Sequence, residues 1–143
     1  MKILVLTLLY MSSLMLQAQD KDAEEKLVRA AVYEYIEGRN NGDVERLKNA
    51  FLPNASLKGV SRNKEQSITP IADYVAKQTP GRKHDCTTEV RLIDFVKDVA
   101  VAHVVLTYST HSYHDYLILM KIGDRWKIAD KIYTRIDVES KKP

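Results

Sequence analysis

The sequence predicts an α+β fold, with helices early in the chain packed on an antiparallel sheet formed later. Three observations predict it. Apolar residues recur at three- and four-residue spacing between residues 22 and 39. From about residue 84 to 136 the apolar period drops to two. Short turn signals at 97–98, 109–112 and 123–124 divide that second half, too short for crossover helices. Helices are thus segregated from strands along the chain, which is the α+β pattern.

Residues 1–18, MKILVLTLLYMSSLMLQA, carry one charge, Lys2, then an apolar run and a small residue before a polar segment. That is the pattern of a secretory signal peptide. The run falls short of the roughly 20 apolar residues of a membrane span. The expectation is cleavage after Ala18, export to a periplasmic or secreted location, and no membrane attachment afterwards. No cysteine follows the run to carry a lipid. The folded domain is placed at 19–138, with 139–143 a disordered tail.

Residues 22–39 predict a first helix with Leu27, Val28, Ala31, Val32, Tyr35 and Ile36 as its apolar stripe. Asp22, Glu24 and Glu25 suit its N-terminus, and Gly38 with Asn40-Asn41-Gly42 stops it. Asp43 caps a short second helix through Phe51, ended by Pro53. Residues 54–68 predict two short polar strands joined by a turn. Thr69 caps a third helix with Pro70 at its first position and Ile71, Tyr74 and Val75 on its apolar face. Four strands follow at 84–96, 99–109, 113–122 and 125–136, forming an antiparallel meander.

The 143 residues make one domain. Hydrophobic residues at 45% and charged residues at 29% exclude a disordered chain. A net charge of +3 without a basic stripe argues against a nucleic-acid partner. The single cysteine, Cys86, excludes an internal disulfide and is expected as an inert strand residue with no cation beside it. Nothing in the chain matches a glycine-rich phosphate loop, a nucleophile elbow or a Cys/His zinc spacing, so no cofactor and no metal are expected. His111 and His114 lie three apart in a hairpin, where such positions face opposite ways. Asn54-Ala55-Ser56 fits a glycosylation acceptor, a pattern common by chance.

Turn geometry assigns the sheet faces. A two-residue turn at Gly123-Asp124 sets Ile122 against Arg125, Leu119 against Ile128, Leu117 against Asp130 and Asp115 against Ile132. A four-residue loop at 109–112 sets Tyr108 against Tyr113 and Leu106 against Asp115. One face then carries Ala102, Val104, Leu106, Tyr108, Tyr113, Leu117, Leu119, Trp126, Ile128 and Ile132, the core face. It also carries Asp115 and Asp130 as diagonal neighbours. Two carboxylates there must share a proton, meet a cation or face a water-filled cavity. They predict a pocket floor, with Tyr35, Tyr108, Tyr113 and Thr134 supplying hydrogen bonds and Phe51 and Trp126 supplying apolar walls. The competing reading has each Asp paired with a basic residue such as Arg39, Arg91 or Arg135. The opposite face carries Val101, His103, Val105, Tyr116, Ile118, Met120, Ala129 and Tyr133. It is too apolar for a wet sheet face and predicts a homodimer interface.

The segments YIEGRNNGDVERLKNAFLPNASL and HDYLILMKIGDRWKIADKIY carry a family resemblance. Tyr35, Gly38 and Asp43; Phe51, Pro53 and Ala55; Asp115, Tyr116 and Leu117; and Trp126, Lys127, Ile128, Lys131 and Tyr133 stand where relatives repeat these types. In these residues the chain resembles the putative lumazine-binding, SnoaL-like subgroup of the nuclear transport factor 2-like superfamily, over about residues 27–136. Leu52 departs from the pattern, since many relatives carry a His there. The resemblance implies a cone-shaped α+β fold with a pocket at the open end and frequent dimerisation through the outer sheet face. It does not decide activity, because the superfold hosts isomerases, dehydratases, hydrolases and cyclases. The expectation is an exported protein that binds an unidentified small molecule without a defined reaction. The alternatives are an isomerase, hydrolase or cyclase using Asp115 or Asp130 as general acid or base, and a protein-association module acting through the outer face.

Overall fold

A computed structural model describes the backbone over residues 2–61 and 63–138, with side chains from Asp20 onward. The expected signal segment and the expected tail at 139–143 lie outside the residues described in full.

Three helices and six strands run in the order α1 (Lys2–Asn40), α2 (Val44–Ala50), β1 (Phe51–Val60), β2 (Gln66–Pro70), α3 (Ile71–Ala76), β3 (Thr87–Val96), β4 (Val99–Thr107), β5 (His111–Ile122) and β6 (Arg125–Asp137). The strands form one open sheet, ordered β2-β1-β6-β5-β4-β3. The expected stripe of α1 is buried at Val28, Ala31, Val32, Tyr35 and Ile36, whereas Leu27 is half exposed. These side chains meet Ala102, Val104, Leu106, Leu117, Leu119 and Ile128 from the inner sheet face in one core. The α1–α2 corner is tight. A Cβ on Gly38 would sit 2.5 Å from the backbone nitrogen of Leu47, so only glycine lets the two helices approach. Asp43 caps α2 by accepting a hydrogen bond from the Arg46 amide at 3.0 Å.

Several boundaries and pairings differ from expectation. Phe51 opens β1 instead of closing α2. Pro70 takes the cap position of α3, with no side-chain cap bond from Thr69. The sheet is mixed, since β1 runs parallel to β6 while every other pair is antiparallel. A parallel pair needs a long connection, and α3 with β3–β5 provides one between β1 and β6.

The β4–β5 ladder sets Val104 against Asp115 and Leu106 against Tyr113. That is two residues from the expected register, and an even shift leaves the faces unchanged. The β5–β6 ladder follows expectation from Ile122 with Arg125 to Leu119 with Ile128. It then slips, and Ile118 pairs with Asp130, leaving Ala129 as the extra residue of a bulge. A one-residue slip exchanges faces for everything beyond it. Asp130 and Thr134 therefore project outward, and Ile132 is 50% exposed. Lys131 and Tyr133 turn inward, and Lys131 is only 5% exposed.

Candidate functional site

The last turn of α1 ends over the inner sheet face, beside α3. A cavity of about 190 Å³ opens there, lined by Arg39, Leu57, Thr69, Tyr74, Leu106, Tyr113, Lys131 and Tyr133. Each side chain arrives for a local reason. Arg39 is the basic residue in the last turn of α1, where a cation complements the helix dipole. Lys131 and Tyr133 point in because of the Ala129 bulge. Tyr133 lies against Gly59, its register partner on β1, and a Cβ at Gly59 would come within 2.8 Å of the tyrosine ring.

Behind the cavity wall lies a buried hydrogen-bonded triad. The Tyr35 hydroxyl donates to Asp115 Oδ2 at 2.6 Å, and Lys131 Nζ donates to the same oxygen at 3.0 Å. Lys131 Nζ also donates to the Tyr35 hydroxyl at 3.1 Å. The ammonium stands over the rings of Tyr133, Tyr35 and Tyr74 at 5.0, 5.3 and 5.6 Å, within cation–π range. Asp115 and Tyr35 are fully buried. Asp115 Oδ1 meets no hydrogen-bond donor among the described residues. Burial, then the nearby Asp115 charge, pushes the Tyr35 hydroxyl well above its ordinary value. Burial also raises Tyr74. Burial lowers Lys131 against the opposing pull of Asp115, and the charge of Arg39 adds to the lowering.

Arg39 is 8% exposed, and its bonds run to neutral groups. It donates to the Tyr108 hydroxyl and to Asn40 Oδ1 at 3.0 Å, and its Nη1 lies 3.9 Å from Cys86 Sγ. Among the described residues no acid forms an ion pair with it. The guanidinium stays charged at any physiological pH. Its field lowers neighbouring His84, after the larger effect of burial. Cys86 thus does have a cation beside it, and it precedes β3 instead of lying within a strand.

The structure brings Tyr113 to the cavity and sets Tyr35, Tyr108 and Asp115 immediately behind its wall. It separates the others. Asp130 is not a neighbour of Asp115: it faces outward, accepts from Ser56 at 2.9 Å, and pairs with Lys58 at 2.5 Å. Burial tends to raise Asp130, but the bonds from Lys58 and Ser56 outweigh it and hold the carboxyl below its ordinary value. Thr134 is exposed on the outer face. Trp126 is buried at the start of β6, away from the cavity, and donates to Glu24 at 2.6 Å. Phe51 packs edge-on against Tyr35 at 5.7 Å and lines a different, largely apolar cleft of about 660 Å³ between α2 and α3, with Leu52, Ile71 and Val75.

On the outer face Tyr116 and Met120 are 45% and 40% exposed, and His103 stacks on Tyr116 at 4.5 Å. Val101 and Ile118 are half-buried, Val105 is buried, and Tyr133 leaves this face altogether. His114 meets His103 at 3.2 Å and His111 stacks on Tyr108. No cluster of three metal-ligating residues occurs among the described residues.

Alternation along β6 hid Lys131, because regular pairing places it outward. Arg39 and Tyr74 come from helices, whose position over the sheet no strand periodicity fixes. The only sequence signal for Lys131 was its place among the residues that carry the family resemblance.

Similar proteins agree with this architecture. The aldolase FrzH of Cladobotryum sp. is 26% identical over 113 residues, covering 78% of this chain and 90% of that protein. An NTF2-like protein of unknown function from Shewanella baltica OS155 superposes with a TM-score of 0.70 at 22% identity, covering 79% of this chain and 94% of that one. Another from Silicibacter pomeroyi DSS-3 gives 0.71 at 20% identity, with 80% and 98% covered. Residues 23–134 match the family described as putative lumazine-binding. That match shows that the chain belongs to the putative lumazine-binding family, and its fold is the one seen in these NTF2-like structures.

Proposed function

We propose that this chain is an exported small-molecule-binding protein whose ligand enters the cavity beneath the end of α1. The observation that carries the reading is convergence: Arg39, Thr69, Tyr74 and Lys131 bring polar side chains to the lining of a cavity otherwise walled by apolar and aromatic side chains. Few, placed polar groups in an apolar concavity are the usual anatomy of a ligand site. At about 190 Å³ the cavity is smaller than the roughly 300–1,000 Å³ of drug-sized pockets, so the ligand is small. The exposed Tyr116 and Met120 beside His103 support a homodimer through the outer face. Native mass spectrometry of the secreted protein tests all three parts. The expected spectrum is a dimer, with a chain starting at Gln19 and a small bound mass lost on activation. A chain beginning at Met1 refutes export, a monomer refutes the dimer, and a bare protein under every mild condition counts against a retained ligand.

A second reading is catalytic, and the Asp115–Tyr35–Lys131 triad favours it. Asp115 is fully buried behind the wall, whereas Lys131 lines the cavity, so Lys131 is the member that meets a substrate. Its ammonium would stabilise an oxyanion that develops beside it. The aldolase name of the Cladobotryum relative is compatible with such chemistry. Turnover of a small ketone or aldehyde donor, lost in Lys131→Met, is the expected result for this reading. Its absence across a carbonyl panel leaves binding alone.

A further inference from the structure

We infer that the cavity selects a small monoanionic organic acid, a carboxylate on a compact planar body, gripped by Arg39 and Lys131. This inference rests on the binding reading above and specifies its ligand class. It follows from charge counting at the site. Two cations, Arg39 and Lys131, line the cavity, at 8% and 5% exposure. One acid, Asp115, compensates them, and it is spent on Lys131 and Tyr35 through a single oxygen. No described acid pairs with Arg39, whose partners Tyr108, Tyr74, Asn40 and Cys86 are neutral.

A buried charge without a countercharge is costly, and the cost is relieved when an anion arrives. The net surplus is one positive charge, which a carboxylate cancels and a phosphate dianion overshoots. The guanidinium fork matches carboxylate geometry bidentately, and Lys131 adds a point donor. Tyr74, Tyr113 and Tyr133 supply flat walls for the rest of the molecule. A cavity near 150 Å³ accommodates benzene, so about 190 Å³ suits a single ring with one carboxylate.

The test pairs acids with their neutral amides of equal shape: benzoate with benzamide, and acetate with acetamide. Each is titrated into the purified protein and followed by amide chemical shifts at Tyr74, Tyr113 and Lys131. Benzoate is expected to bind about tenfold or more tighter than benzamide. Arg39→Met, checked for folding by circular dichroism, should erase that preference, while Arg39→Lys should keep part of it. If that variant fails to fold, the acid–amide comparison on the unaltered protein still decides. Equal or better binding of the amides overturns the anion preference and leaves the pocket reading intact. No shift at these residues with any compound overturns both.

Discussion

Removing the ammonium of Lys131 should cost far more than an ordinary surface charge deletion. In Lys131→Met, Asp115 keeps the Tyr35 hydroxyl at 2.6 Å but loses its countercharge, while staying fully buried. Breaking a buried pair from one side costs about 3–5 kcal/mol. The contacts of this one ammonium with three rings add more, a cation–π contact being worth about 0.5–1 kcal/mol at exposed sites and about 2 kcal/mol when desolvated. Methionine restores part of that through its own packing, so a net loss of about 3–4 kcal/mol is expected. That is a large share of the roughly 5–15 kcal/mol that holds a domain together. With a urea slope of about 1.5 kcal/mol per molar, the unfolding midpoint should fall by about 2 M. The double variant Asp115→Asn/Lys131→Met removes both charges and leaves Tyr35 an acceptor. Its loss should shrink to about 1–2 kcal/mol, the cost of an amide hydrogen without a partner. The two single losses then exceed the double loss, the signature of a direct interaction. A Lys131→Met loss under about 1 kcal/mol, or strict additivity, would show that Asp115 does not depend on Lys131 for its burial.

Other perturbations read other parts of the structure. Tyr35 and Tyr74 have folded values raised above the ordinary 10.0, so the fold keeps their neutral forms. Their contribution is fully present below pH 10.0 and is lost as pH rises towards their folded values. In an alkaline titration followed by tyrosinate absorbance, both should ionise only together with loss of circular dichroism; ionisation in the intact fold would contradict their burial. Gly59→Ala should displace the Tyr133 ring that a Cβ would meet at 2.8 Å, costing about 1–3 kcal/mol and weakening ligand binding; unchanged binding would remove Tyr133 from the pocket wall. On the outer face, burial and then His114 lower His103 below its ordinary 6.5. A depressed folded value means stability fully present above pH 6.5 and lost as pH falls below that through the folded value. A dimer through this face would also have to desolvate the charge that protonation puts on His103, so it should weaken on acidification, and sedimentation that does not change between neutral and mildly acidic pH would detach the histidines from that interface.

The fold was largely legible because its signals are local. The α1 stripe at Val28, Val32, Tyr35 and Ile36 needs only helical spacing, and the Gly123 turn pins Ile122 to Arg125 and Leu119 to Ile128. Gly38 and Asp43 act through a close approach and a cap that involve near neighbours in sequence. What stayed hidden is non-local. The parallel pairing of β1 with β6 joins residues as far apart in sequence as Ser56 and Asp130, and nothing in either strand announces its partner. Arg39 and Tyr74 reach the cavity from helices whose docking angle is set by the finished core. Asp115 was visible as an acid among apolar strand residues and Tyr35 as a hydrogen-bonding neighbour, but its countercharge Lys131 was not.

One residue accounts for the missed inward turn of Lys131 and Tyr133. Without the extra Ala129, unbroken alternation would bring Asp130 to the inner face near Asp115, with Lys131 and Tyr133 outside. Two buried carboxylates and no lysine would be the costliest arrangement of these side chains, since like charges in low dielectric cannot both stay ionised. The bulge reverses this. It sends Asp130 out to Lys58 and Ser56, where solvent and hydrogen bonds support its charge. It brings Lys131 in to neutralise Asp115, and it seats Tyr133 in the space that Gly59 leaves open. A site that regular pairing would make doubly acidic becomes one with a surplus positive charge once Arg39 joins it from α1. Bulges are found where a sheet re-aims side chains at functional positions. Here the re-aiming changes the sign of the charge that a ligand would meet.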